Sequence, residues 1–218
     1  MHRLLFFGDS WPHGDELKPG EQPFPDLVAK TLGCWRHNYS QSSTSIAHLV
    51  PQLRYAIIHS AVSDQPYSIS DGTCSAVFFL TSPIRDMRVY SVDNVTHYEE
   101  INAESPRYTW YYKNWQNSNH DAHKTNVIIL ALLQLCSLHN IQPYFVWGWD
   151  SVDLWPEIDS EIFYPKTCLH MFDPLAINLY ELKCKQDPHI WPNAGHPNQL
   201  GHQVIARHLA DWLNTKLT

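Results

Sequence analysis

Two short segments carry residue types suited to acyl-transfer chemistry: Gly8-Asp9-Ser10, and Asn193-Ala-Gly-His196-Pro197-Asn198. A serine hydroxyl becomes a nucleophile when an imidazole within hydrogen-bond reach takes its proton, and a third group that holds the other ring nitrogen improves the imidazole as a base. Gly8 permits a sharp exit from whatever precedes it. Ser10 can present its hydroxyl and its own backbone N–H to the same substrate, and His196 is the base to pair with it. A Gly-Asp-Ser triplet alone is weak, because at average residue usage a chain of this length contains one by chance about once in twenty. The second segment raises the odds, since its histidine stands directly before a helix start at Pro197-Asn198.

For these residues to meet, the elements between them must form a sheet that gathers loops at one end. Arg3 to Phe7 is a short apolar run broken by Gly8, as a buried parallel strand would be, and Pro25 to Leu32 reads as a helix. A second strand is expected over Cys34 to Asn38. The helix after it is marked by Ile46, Leu49, Val50, Leu53, Ala56 and Ile57 on one face. Ala76 to Leu80 gives a third strand; a helix through Val127 to Leu138 and a turn at Pro143 lead to a fourth at Tyr144 to Trp147. Val204, Ile205, His208, Leu209, Trp212 and Leu213 form the stripe of a last helix. Alternation of this kind predicts a mostly parallel sheet covered on both faces, a three-layer α/β/α sandwich. In such a sheet ligands bind beyond the carboxyl ends of the strands, where Ser10 stands. The whole chain, 1–218, reads as one domain, with rim insertions at about 84–120 and 148–183.

With both segments and this order of elements in hand, the chain resembles the SGNH (GDSL) hydrolase family. Phe6-Phe7-Gly8-Asp9-Ser10-Trp11 followed by Gly14 is similar to that family's first block, and His196-Pro197 with Gly201-His202 to its last. The resemblance implies a flavodoxin-like architecture, a serine nucleophile, a histidine base and no cofactor. Its middle blocks are degenerate here. Ser43 stands where a glycine usually gives an oxyanion-hole N–H, and serine can still donate if its backbone conformation is allowed. In the third block, Leu80-Thr81-Ser82-Pro83-Ile84-Arg85-Asp86, the usual asparagine is missing. Thr81, Ser82 or Arg85 is the expected replacement donor, against the plainer reading of Arg85 as a surface ion pair with Asp86 or Glu99. The family's triad aspartate, three residues before the histidine, is Asn193. Either Ser10 and His196 work as a dyad oriented by Asn193, or Asp187 reaches in. The divergent middle blocks also resemble members associated with bacteriophage genomes.

Several features bound the alternatives. A formal charge of −7, from 22 acidic against 15 basic residues, argues against nucleic acid as a partner. The polar turn after Met1-His-Arg-Leu-Leu-Phe-Phe-Gly and the brevity of the most apolar run, Val127 to Leu133, predict a cytoplasmic protein with no membrane segment. The 5 cysteines show no CxxC spacing and are expected reduced. The 14 histidines, His120 and His123 among them, lack acidic or cysteine partners at ligand spacing, so no metal is expected. His13, Asp15 and Glu16 follow the serine closely and either touch substrate or are solvated loop residues. Tyr108, Trp110, Tyr111, Tyr112 and Trp115 in one insertion, and Trp147, Trp149 and Trp155 in the other, either stack on sugar or acyl groups or form an aromatic core under the rim. The expectation is hydrolysis of a short-acyl or O-acetyl ester of a small molecule or glycan. A weakened glycan- or protein-binding module and an acyltransferase stand as rivals, and oligomeric state is not readable.

Overall fold

The computed structural model describes residues 2–62, 74–83, 85–92, 95–101, 117–172 and 196–217. In chain order these form β1 (Arg3–Phe7), α1 (Ser10–His13), α2 (Phe24–Leu32), β2 (Trp35–Asn38), α3 (Leu49–Val62), β3 (Cys74–Leu80), β4 (Asp86–Val92), β5 (Val95–Ile101), α4 (Ser118–Leu138), β6 (Ile141–Trp147), α5 (Leu169–Phe172) and α6 (Gln199–Leu217). The central sheet has the order β2-β1-β3-β6 and every pairing in it is parallel.

Side chains alternate along each strand and so supply both faces of the sheet. Leu4 and Phe6 of β1, Val77 and Phe79 of β3, and Tyr144 and Val146 of β6 pack with Phe24 and Val28 of α2 and Ile205, Leu209 and Leu213 of α6. Leu5, Phe7, Ala76, Phe78, Leu80 and Phe145 pack on the opposite side with Leu49 and Leu53 of α3 and Ile129 and Leu132 of α4. The result is the expected three-layer α/β/α sandwich. The strand order reverses direction between β1 and β3, which makes the crevice at their carboxyl ends the place where loops part to admit a ligand.

Three local expectations are corrected. The turn before β6 lies at Asn140, in the left-handed region at φ 57, and Pro143 sits within the strand opposite Ala76. β6 ends the sheet order, and a proline without an N–H is tolerated where no further strand needs its donor. The first insertion, read as irregular from Ile84 to His120, begins with an antiparallel hairpin of β4 and β5 in which Asp86 stands opposite Ile101. The helix expected from Val127 starts already at Ser118, with the Asn117 side chain accepting the His120 N–H at 3.0 Å. Its polar first turns were not legible as helix because their burial is tertiary: Asn126 donates to the Asp153 carbonyl at 2.9 Å and accepts the Trp155 N–H at 2.9 Å.

Those two bonds tie the second insertion to α4, and the insertion then runs beside β6. The Tyr164 N–H reaches the Phe145 carbonyl at 2.8 Å, and the Cys168 N–H reaches the Trp147 carbonyl at 2.7 Å. An exposed sheet edge is thereby covered. Among the described residues, no helix is long and apolar enough to cross a membrane.

Candidate active site

β1 delivers its chain to the crevice through Gly8, and that exit is fixed from the α3 side. Gln52, buried in α3, accepts the Gly8 N–H at 3.1 Å and donates to the Gly8 carbonyl at 2.9 Å. The same carbonyl accepts from the Thr44 hydroxyl at 3.2 Å and from the Gln41 N–H at 3.1 Å. Only glycine fits, since a Cβ at this position would stand 2.7 Å from Cγ of Pro12 and 2.9 Å from Cβ of Phe79.

Asp9 then caps the single turn α1, its Oδ1 accepting the Trp11 N–H at 3.1 Å. Ser10 opens that turn and is buried, with 6% of its surface exposed. The carbonyl of Ser10 accepts from the N–H groups of Gly14 at 2.9 Å and Asp15 at 3.1 Å, so the loop carrying His13, Asp15 and Glu16 is folded back on the serine. Asp15 in turn holds His13 Nδ1 at 2.6 Å and accepts the Ser42 hydroxyl, joining this loop to the one after β2. Asn38, the last residue of β2, donates to the Pro12 carbonyl at 2.6 Å.

Ser43 lies in that second loop at φ 56, a left-handed conformation that side chains other than glycine seldom adopt. A glycine would take this conformation without strain, and Ser43 takes it nonetheless. At the exit of β3, Thr81 is buried and Ser82 half-buried, its carbonyl receiving the Arg85 N–H at 3.1 Å. Arg85 Nη1 stands 3.6 Å from Asp9 Oδ2, so the guanidinium lies against the carboxylate next to the serine. Burial pushes the Asp9 carboxyl above the ordinary carboxylate range. The Thr81 hydroxyl, the Arg85 guanidinium, the Trp11 N–H and His196 oppose that rise; the Thr81 hydroxyl lies alongside without full hydrogen-bond geometry.

His196 reaches the same place from the opposite end of the sequence. It precedes α6, whose first turn is capped by Asn198 Oδ1 accepting the Gly201 N–H at 3.0 Å. Packing of α6 on α2 brings it across: Gln199 and Gln22 exchange bonds at 2.7 and 3.3 Å, and His202 Nδ1 accepts the Phe24 N–H at 3.1 Å. His196 Nδ1 then lies 3.4 Å from Oε1 of Glu16, in the loop hung on Ser10. The start of α6 is thereby brought to the loop that follows Ser10. Asn193 and Asp187, the expected third members, lie outside the described residues, as do Tyr108, Trp110, Tyr111, Tyr112 and Trp115.

Of the second aromatic group, Trp147 is buried and stacks on Phe163, Trp155 meets His123 edge-on at 5.1 Å, and Trp149 packs 4.9 Å from Trp11. These rings serve as packing beneath the rim. Among the described residues no three His, Cys, Asp or Glu side chains come together as a cation site. Sequence reading missed the Gln52 clamp, for which the sequence carries no signal. It also read Glu16 as a substrate contact or a solvated loop residue and not as a partner of His196, although an acid six residues after the serine, with asparagine at 193, was an available hint.

Solved structures with this fold cover nearly the whole chain. An acetyl xylan esterase from the rumen bacterium Butyrivibrio proteoclasticus matches with a TM-score of 0.54 at 16% identity, over 99% of this chain and 64% of that one. A carbohydrate esterase whose active site is described as displaying divergent catalytic and non-catalytic binding functions matches with a TM-score of 0.50 at 13% identity, over 98% of this chain and 65% of that one. A lipolytic protein of the G-D-S-L family from Veillonella parvula DSM 2008 matches with a TM-score of 0.47 at 14% identity, over 97% of each chain. This chain thus spans less than two thirds of the length of the two carbohydrate esterases. No family model and no curated protein sequence matches it. At these identities the common property is the fold, the mostly parallel α/β sandwich of the SGNH hydrolases.

Proposed function

We propose that the chain is a divergent SGNH-type serine esterase that cleaves a short-acyl or O-acetyl carboxylic ester, the ester borne by a carbohydrate. The observation that carries this reading is the joining of the Ser10 loop to His196, through Glu16, at the carboxyl ends of β1 and β3. In the proposed mechanism His196 takes the Ser10 proton as the hydroxyl attacks the ester carbonyl. The backbone N–H groups of Ser10 and Ser43 receive the oxyanion, the alcohol leaves with the proton from His196, and water repeats the sequence on the acyl-enzyme. Support for a sugar ester comes from the fold being shared with an acetyl xylan esterase and a second carbohydrate esterase.

The test is labelling by a fluorophosphonate probe together with hydrolysis of p-nitrophenyl acetate and acetylated xylan. Ser10→Ala should abolish labelling, and Ser10→Ala and His196→Ala should each lower kcat by about 10³-fold or more. Equal labelling of the Ser10→Ala protein, or hydrolysis that survives it, would refute the assignment. A protein that binds acetylated xylan without labelling or turnover would be the binding module, and transfer of acetyl to an added sugar in place of water would make it an acyltransferase.

A further inference from the structure

We infer that Glu16 is the carboxylate that orients His196, so that the acid of this site is supplied by the loop following the serine and not by the segment preceding the histidine. This deepens the proposed esterase reading and rests on it. Glu16 Oε1 stands 3.4 Å from His196 Nδ1, within ion-pair reach and a few tenths of an ångström longer than a good hydrogen bond. That nitrogen is closed off from solvent and has no hydrogen bond among the described residues. An imidazole that is to take a proton at Nε2 must carry its own on Nδ1, and a carboxylate at Nδ1 both selects that tautomer and stabilises the imidazolium once it forms.

The backbone points the same way. Glu16 sits at φ 66, where a residue other than glycine is held at a cost, and unexplained strain of this kind concentrates where a side chain must be aimed. The turn that imposes it is anchored on the nucleophile itself, because the Ser10 carbonyl accepts from Gly14 and Asp15. Asp15 fixes the turn from the other side through His13 and Ser42. The serine, its base and the acid are thus set by one loop and one helix start. Asn193, neutral where the family has aspartate, leaves the role open for such a residue. Glu16 acts through His196 and is a positioning residue.

Two substitutions separate this role from a structural one. Glu16→Gly removes the carboxylate and relieves the left-handed backbone, so the full chain should unfold at the same or a higher temperature while kcat for p-nitrophenyl acetate falls about 10²-fold with KM nearly unchanged. Asn193→Asp added to Glu16→Gly should restore at least about tenfold of that loss, since it supplies a carboxylate three residues before His196 in the sequence. Nitrogen-15 shifts of the His196 ring, read without substrate, should show the Nδ1–H tautomer in the unaltered chain and a mixture in Glu16→Gly. Turnover within threefold of the unaltered chain in Glu16→Gly, or a loss matched by a fall in unfolding temperature and not rescued by Asn193→Asp, would overturn the inference. Failure of the esterase reading is distinct: Ser10 would go unlabelled, whereas the ring tautomer would still report on Glu16.

Discussion

Residue by residue, the site is legible where chemistry needs a particular functional group and opaque where it needs only a particular position. Ser10 and His196 stand out because few residues can be a nucleophile or a neutral base. Glu16 does not, because an exposed acid in a loop is usually solvated and only its contact with His196 separates it from the others. Arg85 stands beside Asp9, a neighbour that neither sequence expectation for it named. Asp9, to which the sequence assigned no role, is 1% exposed and stands 3.6 Å from the guanidinium. A buried carboxylate deprived of its cation is costly, which gives a measurable consequence. Arg85→Ala should lower stability at neutral pH by about 1–3 kcal/mol in urea unfolding, the partial exposure of the arginine limiting the loss. Because burial already holds the folded carboxyl above its unfolded range, the folded state binds the proton more readily, so the deficit should shrink as pH falls. Asp9→Asn in the same chain should recover most of it. If the double variant were as unstable as the single one, the pairing would not be what Arg85 contributes.

At the scale of elements, the strands were legible and the connections were not. β1 begins and ends where its apolar run does, and β3 and α6 follow theirs, because burial on both faces or along one stripe writes itself into residue types. The first turns of α4 and the hairpin of β4 and β5 carry no such pattern. Asn126 is buried and helical because the second insertion offers it a carbonyl and an N–H, which is a property of the partner segment and not of the local sequence. Gln52 is the counterpart near the site. A glutamine on the buried face of α3 reads as a flaw in the stripe, yet it satisfies both backbone groups of Gly8. Gln52→Leu should therefore cost about 1–3 kcal/mol, leaving the Gly8 N–H without its partner in a buried setting. On the proposed esterase reading it should also reduce kcat more than KM, by loosening the exit that presents Ser10. Gln52→Glu, which keeps the acceptor and loses the donor, should fall between the two. A Gln52→Leu protein with unaltered stability and turnover would show that the exit is held by Thr44 and the β2 loop alone.

For the whole molecule, what matters is that the sandwich closes by α6 packing on α2, since this contact carries His196 to the loop of Ser10. His202 is its most sensitive point. Fully buried between the two helices, it uses Nδ1 to accept the Phe24 N–H, so the ring must be neutral with its proton on Nε2. Burial, with a smaller contribution from His196, pushes its pKa from the ordinary 6.5 down to about 4. A histidine depressed in this way refuses in the folded state a proton that the unfolded chain accepts. Its contribution is full above pH 6.5 and is lost progressively as pH falls from there to about 4, amounting to about 3 kcal/mol at most. His2, His37, His48 and His208 are shifted in the same direction, mainly by burial, and add to the slope. His202→Gln keeps an acceptor for Phe24 and cannot titrate, so the unfolding free energy of that variant should decline less steeply between pH 6.5 and 4 than that of the unaltered chain, by about one proton. Parallel curves would mean that acid loosens the molecule elsewhere. A flatter curve, with loss of turnover in acid delayed along with loss of stability, would place the first acid-sensitive step at the helix contact that unites the two halves of the site.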